Sequence, residues 1–433
     1  MFIERSEAKI RVVRTLFVLL ALLPCAGLAG WAAYRHSAAH RDGVQMEVER
    51  LLGVPVSIDA VRHLRPGALR CGRCSLRSPD GTAGVAAEDV EVEVSADELR
   101  LRIPALACPP GAAGFLGGVA RAWLTEPVRF GRSWVIDIEK LTWEGATGPT
   151  SRRGPRPLRI ECVAAGESRA VRIVRPGRDG RESDEVRVIV HAGSRGPGMA
   201  QLHASVGEPI PWAVVRAVAG SAAVAGLPFG PETMISGACS ASASASGWTG
   251  AGTARIDGID LAGIGGGYRL AGEAAIDVER LEWKDDRLER LEARCLTGRG
   301  RLAQSLLDAL VTVGGCRPGP AHRSLGGDTV RPFDEIACGI VIDGAGLRIR
   351  AIPGRQSSLM RSQGLSLIDE PAAAMSFDRV AWLLWPTPGP AVPAAPGSAW
   401  LMALMPPSPR AGDASAGQTG GPRAAASGQR KDF

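Results

Sequence analysis

From Thr15 to Tyr34 the chain runs TLFVLLALLPCAGLAGWAAY, 20 residues without a charge. A helix of that length spans about 30 Å, the thickness of a bilayer's hydrocarbon core. Arg5, Lys9, Arg11 and Arg14 precede it, which favours a cytoplasmic N-terminus, although Arg35 and Arg41 follow. Trp31 and Tyr34 stand where an interfacial aromatic belt would lie, and Pro24 falls mid-span, where a membrane helix tolerates it. The competing reading is a cleaved signal peptide, with Leu16–Leu23 as its apolar region and Ala26–Ala29 as its small-residue site. The apolar run continues past that site, so an uncleaved anchor is the preferred reading. Pro24 directly before Cys25 makes a poor lipoprotein box. Both main readings export everything that follows.

The exported part must be β-rich. Gly 55 and Pro 31 make up about a fifth of the 433 residues, which favours turns and short strands. Aromatics are only 5%, so the core rests on Val, Leu, Ile and Ala. The net charge is +6, but only four of the 51 basic residues are lysines, and the arginines are scattered among acids. No basic and aromatic stripe tracks a phosphate backbone, so nucleic acid is not an expected partner.

Alternation of apolar and polar residues marks the strands. Val90, Val92 and Val94 alternate with Glu91 and Glu93; Leu99, Leu101 and Ile103 with Arg100 and Arg102; Ile136 and Ile138 with Asp137 and Glu139. The pattern continues through Leu158, Ile160 and Cys162, then Val171 and Ile173, then Val186, Val188 and Val190. After Gly237 a second β-rich stretch contains Ala274, Ile276 and Val278, and a hairpin from Ile336 through Asp343-Gly344 to Leu347 and Ile349. Helices are predicted over 35–50, Ala113–Leu124, Pro211–Ala225, Leu302–Val313 and Phe377–Trp385, and loops over 144–156 and 174–184. From Pro386 onward the composition predicts disorder, with Ala399–Met405 a short apolar patch inside it.

Motifs for chemistry are sparse. Cys71-Gly72-Arg73-Cys74 has no second pair to complete a zinc site, and on a strand residues three apart point to opposite faces. Excluding Cys25, eight cysteines remain, at 71, 74, 108, 162, 239, 295, 316 and 338. They could pair in about 105 ways, so disulfides and buried thiols both stay open. Gly263–Gly267 is followed by Tyr268 and a predicted strand, which reads as a turn rather than a phosphate cradle. His36 and His40 lie four apart on the connector, and Glu88-Asp89 and Asp285-Asp286 read as surface charge. No nucleophile elbow, Walker loop or His-Glu-x-x-His is present, so no catalytic residue, metal or cofactor is expected.

The order of these features resembles the AsmA-like family of envelope proteins, relatives of the TamB and bridge-like lipid-transfer proteins. An apolar N-terminal helix is followed by Leu51-Leu52-Gly53-Val54-Pro55-Val56-Ser57-Ile58, then Arg65-Pro66-Gly67-Ala68-Leu69, then Cys74-Ser75-Leu76-Arg77-Ser78-Pro79-Asp80-Gly81. Near the other end, the run from Phe333 to Gly344, followed by Leu347 and Ile349, is similar to that family's strand–turn–strand, with Leu302–Val313 as the preceding helix. The resemblance covers residues 10–105 and 235–385; the middle, 145–230, matches nothing recognisable, and the chain is shorter than the long members.

The resemblance implies a single-pass inner-membrane protein with a periplasmic body, taking part in envelope lipid transport and outer-membrane biogenesis. Its partners would be phospholipid acyl chains, and other envelope proteins besides. An acyl chain of about 15 methylenes costs about 12 kcal/mol to expose to water. Shielding it needs only a continuous apolar trough. Lining candidates are Val90, Val92, Val94, Ile136, Ile138, Ile276, Val278, Ile340, Ile342, Leu347 and Ile349, any of which could equally be plain strand core. The expected fold is mainly β: one transmembrane helix, then an elongated antiparallel β-rich body, either open groove or sandwich, with a few short helices and a disordered tail. The expected divisions are 1–14 cytoplasmic, 15–34 transmembrane, 35–50 connector, 51–230 and 231–386 β-rich, and 387–433 tail. A non-enzymatic assembly factor binding partners by its sheet edges, and an exported enzyme with a dispersed site, are the alternatives.

Overall fold

The structure, a computed structural model, describes residues 7–78, 84–109, 112–125, 132–143, 156–166, 168–176, 184–191, 199–219, 229–230, 232–263, 268–323, 329–354, 357–384 and 403–406. It is mainly β, with an N-terminal apolar helix. The chain divides into two compact units, Met1–Ala225 and Gly226–Phe433.

Helix α1 (Glu7–Arg35) has 29 residues, about 43 Å of rise, and none of its residues is buried. Its mean hydropathy reaches 2.2, so it is long and apolar enough to cross a membrane. Val18–Leu22 form a π-turn just before Pro24. Pro24 has no N–H to donate and its ring crowds the carbonyl one turn back; widening the turn relieves both. Helix α2 (Ala38–Leu52) follows after two residues. Ser37 Oγ caps it by accepting the His40 N–H (3.3 Å), and Gly53 closes it in the left-handed conformation, φ +66°.

In the first unit, β1 (Val56–Ile58) and β2 (Val61–Arg65) both pair with β3 (Ala68–Arg77), which pairs with β4 (Gly84–Val94). β4 then pairs with β5 (Glu98–Ile103) and β6 (Leu106–Cys108), two pieces of one strand separated at Pro104, which has no N–H for the ladder. Helix α3 (Ala112–Thr125) crosses over, so β7 (Ser133–Trp143) lies parallel to β5 and β6. β8 (Arg156–Ala165), β9 (Ser168–Arg175), β10 (Asp184–His191) and β11 (Met199–Pro211) continue the sheet as antiparallel neighbours, and α4 (Trp212–Ala219) follows. Thus 174–175 and 184, read from the sequence as loop, belong to strands; 144–155, 177–183 and the 220–225 end of the predicted Pro211–Ala225 helix lie outside the described residues.

The expectation that Cys71 and Cys74 point apart is corrected here. Asp89 takes a left-handed backbone (φ +54°), and both strands switch parity around it. On β4 the buried residues are Val85 and Ala87 before it and Val90 and Val92 after; on β3, Leu69 and Cys71 and then Cys74 and Leu76 all join the same core. Each strand gives up one residue at the kink, so three-residue spacing returns to one face.

In the second unit, β12 (Met234–Ser244), β13 (Gly247–Asp260), β15 (Glu273–Lys284), β16 (Arg287–Thr297) and β20 (Glu335–Asp343) form an antiparallel sheet in that order, with β14 (Leu270–Ala271) between β13 and β15 in the chain. The far side of β20 pairs with β21 (Gly346–Ala351) and β22 (Ser358–Ser362), and β22 pairs with β23 (Leu365–Asp369), which also holds β18 (Arg317–Pro318). A small sheet joins β14, β17 (Gly300–Ala303) and β19 (Val330–Phe333). Helix α5 (Gln304–Thr312) is shorter than predicted, because Leu302 and Ala303 are drawn into β17 by pairing with β14 and β19. Helix α6 (Phe377–Leu384) matches its prediction up to Trp385, which lies outside the described residues. So does most of the expected disordered tail; within it, Met405 is buried with Phe377, Val380 and Leu383, so the apolar patch at 399–405 has a packed residue.

Candidate functional site

The register of the first sheet sets apolar side chains in line across it. One row runs Leu69, Val92, Leu101, Ile136, Ile160, Ile173, Val186, Ala204, one residue from each of eight strands. The next runs Val94, Leu99, Trp134, Cys162, Val171, Val188, Leu202. Eight strands at ~4.8 Å spacing make the first row about 34 Å long. The opposite face is ionic: Arg70 pairs with Glu91 (2.5 Å), Arg159 with Glu161 (2.7 Å) and Arg172 with Glu185 (2.8 Å). These exposed pairs contribute little individually, about 0–1 kcal/mol each; their effect is to fix which face meets water.

Cover over the apolar face is uneven. Val48 and Leu52 of α2 and Trp123 of α3 pack on it, burying Val90, Val92, Leu99 and Ile138, with Ile136 partly buried beside them. Trp123 is fully buried and stacks obliquely with Trp134, centroids 6.1 Å apart. Toward β10 and β11 burial is less complete among the described residues: Val186, Val188 and Leu202 of these rows, and Val190 beside them, are half-buried. Val94, at the end of β4, is 36% exposed. At the margin of the covered region sits a buried cation. Arg169 follows the parity of Val171 and Ile173, so it points to the apolar side, 9% exposed. Its Nη1 donates to the Trp123 carbonyl (3.1 Å) near the C-terminal end of α3, and its guanidinium lies 4.9 Å over the Trp123 ring.

Six of the eleven lining candidates belong to the second unit. There Ile276, Cys295, Cys338 and Ala351 form one row; Val278, Ala293, Ile340 and Ile349 the next; Leu281, Leu291, Ile342 and Leu347 a third. Helices of the same unit pack on this face. Leu306, Leu307 and Leu310 of α5 reach Ile276, Ile340 and Ile349, while Phe377, Val380 and Leu383 of α6 reach Ile342 and Leu347. Five of the six are shared with the unit's own helix-packed core, and Val278 is buried in the same sheet face. Sequence reasoning identified Val186 and Val188 as strand without giving them a role, and it missed Leu202 altogether. The signal was present in Ala200, Leu202, Ala204 and Val206, a two-residue period carried mostly by small side chains.

Close to α1, the rings of Tyr34, His40 and His63 gather, with the Tyr34 and His40 centroids 5.2 Å apart. Among the described residues no group of three or more His, Cys, Asp or Glu is placed to hold a metal ion. Cys71, Cys162 and Cys316 are buried among apolar groups, which pushes their thiols up to about 12, about 12 and about 11, away from nucleophilic use. No protein-family model matches the chain, and comparisons with curated proteins and with solved structures found no match to either.

Proposed function

We propose that this chain is a membrane-anchored envelope protein of the AsmA-like kind, with α1 in a bacterial inner membrane, its N-terminus cytoplasmic and its body periplasmic. On this reading it works in envelope lipid transport or homeostasis, shielding acyl chains on the apolar face of the first sheet. The observation that carries the proposal is continuity: the two apolar rows pass from beneath α2 and α3 onto β10 and β11, where their side chains are only half-buried. A lipid tail laid there would exchange water for methyl groups at about 25 cal/mol per Å². The resemblance noted in the sequence, and a helix apolar enough to cross a bilayer, support the same reading.

The test is photo-crosslinking of the full-length chain, in bilayer nanodiscs, with a phospholipid carrying a photoactivatable group on its acyl chain. Adducts are expected on peptides from 184–191 and 199–211 as well as on α1, with the α1 adducts serving as the internal control. Val188→Glu and Leu202→Glu should remove the body adducts and keep those on the helix. Adducts confined to α1 in the folded chain would sink the carrier reading. One observation favours the assembly-factor alternative for the second unit: α5 and α6 fill its apolar face, which leaves that unit better suited to a protein partner than to an acyl chain.

A further inference from the structure

We infer that Cys295 and Cys338 form a cross-strand disulfide, a covalent clasp between β16 and β20 in the second unit. The two residues are direct register partners on antiparallel strands and share one face of the sheet. Opposed antiparallel residues have Cα atoms about 4.5–5.5 Å apart, inside the ~4.4–6.8 Å range that a disulfide spans. Their thiols lie close enough for each to shift the other's proton affinity. All nine cysteines are free thiols in the structure, and no other two share a register row on neighbouring strands.

The two thiols are unequal in a way that orders the chemistry. Cys295 is half-buried, and the neighbouring Cys338 thiol pulls its pKa below the usual thiol value. Cys338 is buried and is held well above that value by the neighbouring Cys295 thiol and by desolvation. Cys295, the more exposed of the two, is therefore the thiol that as thiolate attacks a small disulfide oxidant such as oxidised glutathione, forming a mixed disulfide and releasing one glutathione thiolate. The Cys338 thiol then loses its proton to solvent and attacks the Cys295 sulfur, expelling the second glutathione. Two protein thiols are oxidised and one glutathione disulfide is reduced to two thiols. The bridge ties the ends of the segment 296–337, which carries β17, α5, β18 and β19, and so restricts the unfolded chain. Cys316 is the rival partner, since it lies in the same core near Cys338. The inference concerns thiol geometry alone and does not rest on the lipid reading.

The experiment uses the full-length chain in detergent, reduced and then exposed to oxidised glutathione, in one arm as the folded chain and in the other during refolding from denaturant. Free thiols are alkylated and peptides mapped without reductant. A linked peptide pair carrying Cys295 and Cys338 is expected. It should persist in Cys316→Ser and vanish in Cys295→Ser, and bridging should raise the thermal midpoint by about 5–15 °C, reversed by reductant. Both thiols alkylated in both arms, with the far-ultraviolet dichroism of the starting protein, would overturn the inference. So would Cys338 linked to Cys316.

Discussion

The imidazoles of His40 on α2 and His63 on β2 meet Nε2 to Nε2 at 2.8 Å, with ring centroids 5.0 Å apart. One nitrogen must donate and the other accept, so the contact exists only while at least one ring is neutral. Burial, and then the positive charges of Arg35, His40 and His36, pull the His63 pKa below its usual 6.5. In the pH window between that lowered value and 6.5, the unfolded chain binds a proton at this position that the folded chain refuses. Stability therefore falls as pH drops through the window. The first unit's thermal midpoint should decline from about pH 7 to about pH 5, and the decline should be shallower in His63→Asn. Equal slopes in the two proteins would rule out this contact as the cause.

Among the described residues of the first sheet, Arg169 is the arginine that is buried on the apolar side, where it donates to Trp123. Arg169→Leu keeps the bulk but leaves that carbonyl without this donor. A loss of about 1.5–3 kcal/mol is expected, the usual size for a hydrogen bond involving a charged group. Chemical denaturation followed by tryptophan fluorescence reads it directly, because Trp123 and Trp134 sit beside the change. A midpoint unchanged from wild type would mean that the guanidinium is dispensable.

Gly300 opens β17 where the backbone is hemmed in on two sides. A methyl group there would collide with the Ala271 carbonyl oxygen and the Phe333 ring. Phe333 is 1% exposed and cannot swing away. Gly300→Ala should cost about 1–3 kcal/mol through overpacking, whereas Gly298→Ala, two residues earlier in open space, should be nearly silent. Differential scanning calorimetry on the pair separates the two; equal midpoints would contradict the packing described.

Leu20 stands near the middle of α1 and is 70% exposed. Leu20→Arg should weaken membrane insertion by about 2.5–3.5 kcal/mol. The readout is the fraction of chain that resists alkaline carbonate extraction, which should fall clearly. A fraction indistinguishable from wild type would mean that α1 does not span the bilayer.

Sequence legibility followed side-chain contrast. The Val90–Val94 strand was readable because every second residue is a glutamate, and charged residues interleave with apolar ones in β5, β7, β9 and β10 as well. The β12–β13 hairpin carries little of that contrast. Its residues are chiefly Ala, Ser, Gly and Thr, whose two faces differ little in polarity. Some of those glycines answer to geometry instead: a Cβ on Gly252 would lie 2.8 Å from the Ala238 carbonyl oxygen. The Cys71 and Cys74 orientation was misread because strict alternation assumes an unbroken strand, and Asp89 breaks it from the neighbouring one. For the candidate site, alternation identified which residues face inward. It carried no information about which of them a helix would cover, since that depends on where α3, α5 and α6 come to rest.

Only His36 and Ser37 separate α1 from α2, and the joint is tied on both sides. The His36 N–H donates to the Ala32 and Ala33 carbonyls, and Ser37 Oγ donates to the Tyr34 carbonyl while accepting from the His40 N–H. Such a joint is a corner rather than a leash. A body on a leash explores a volume set by the linker's length, but a body on a corner inherits its heading from the helix that carries it. Any lean of α1 becomes a lean of α2 and of the sheet that α2 packs against, so with α1 in a bilayer as proposed, bilayer thickness, which sets helix tilt, would act as a steering input.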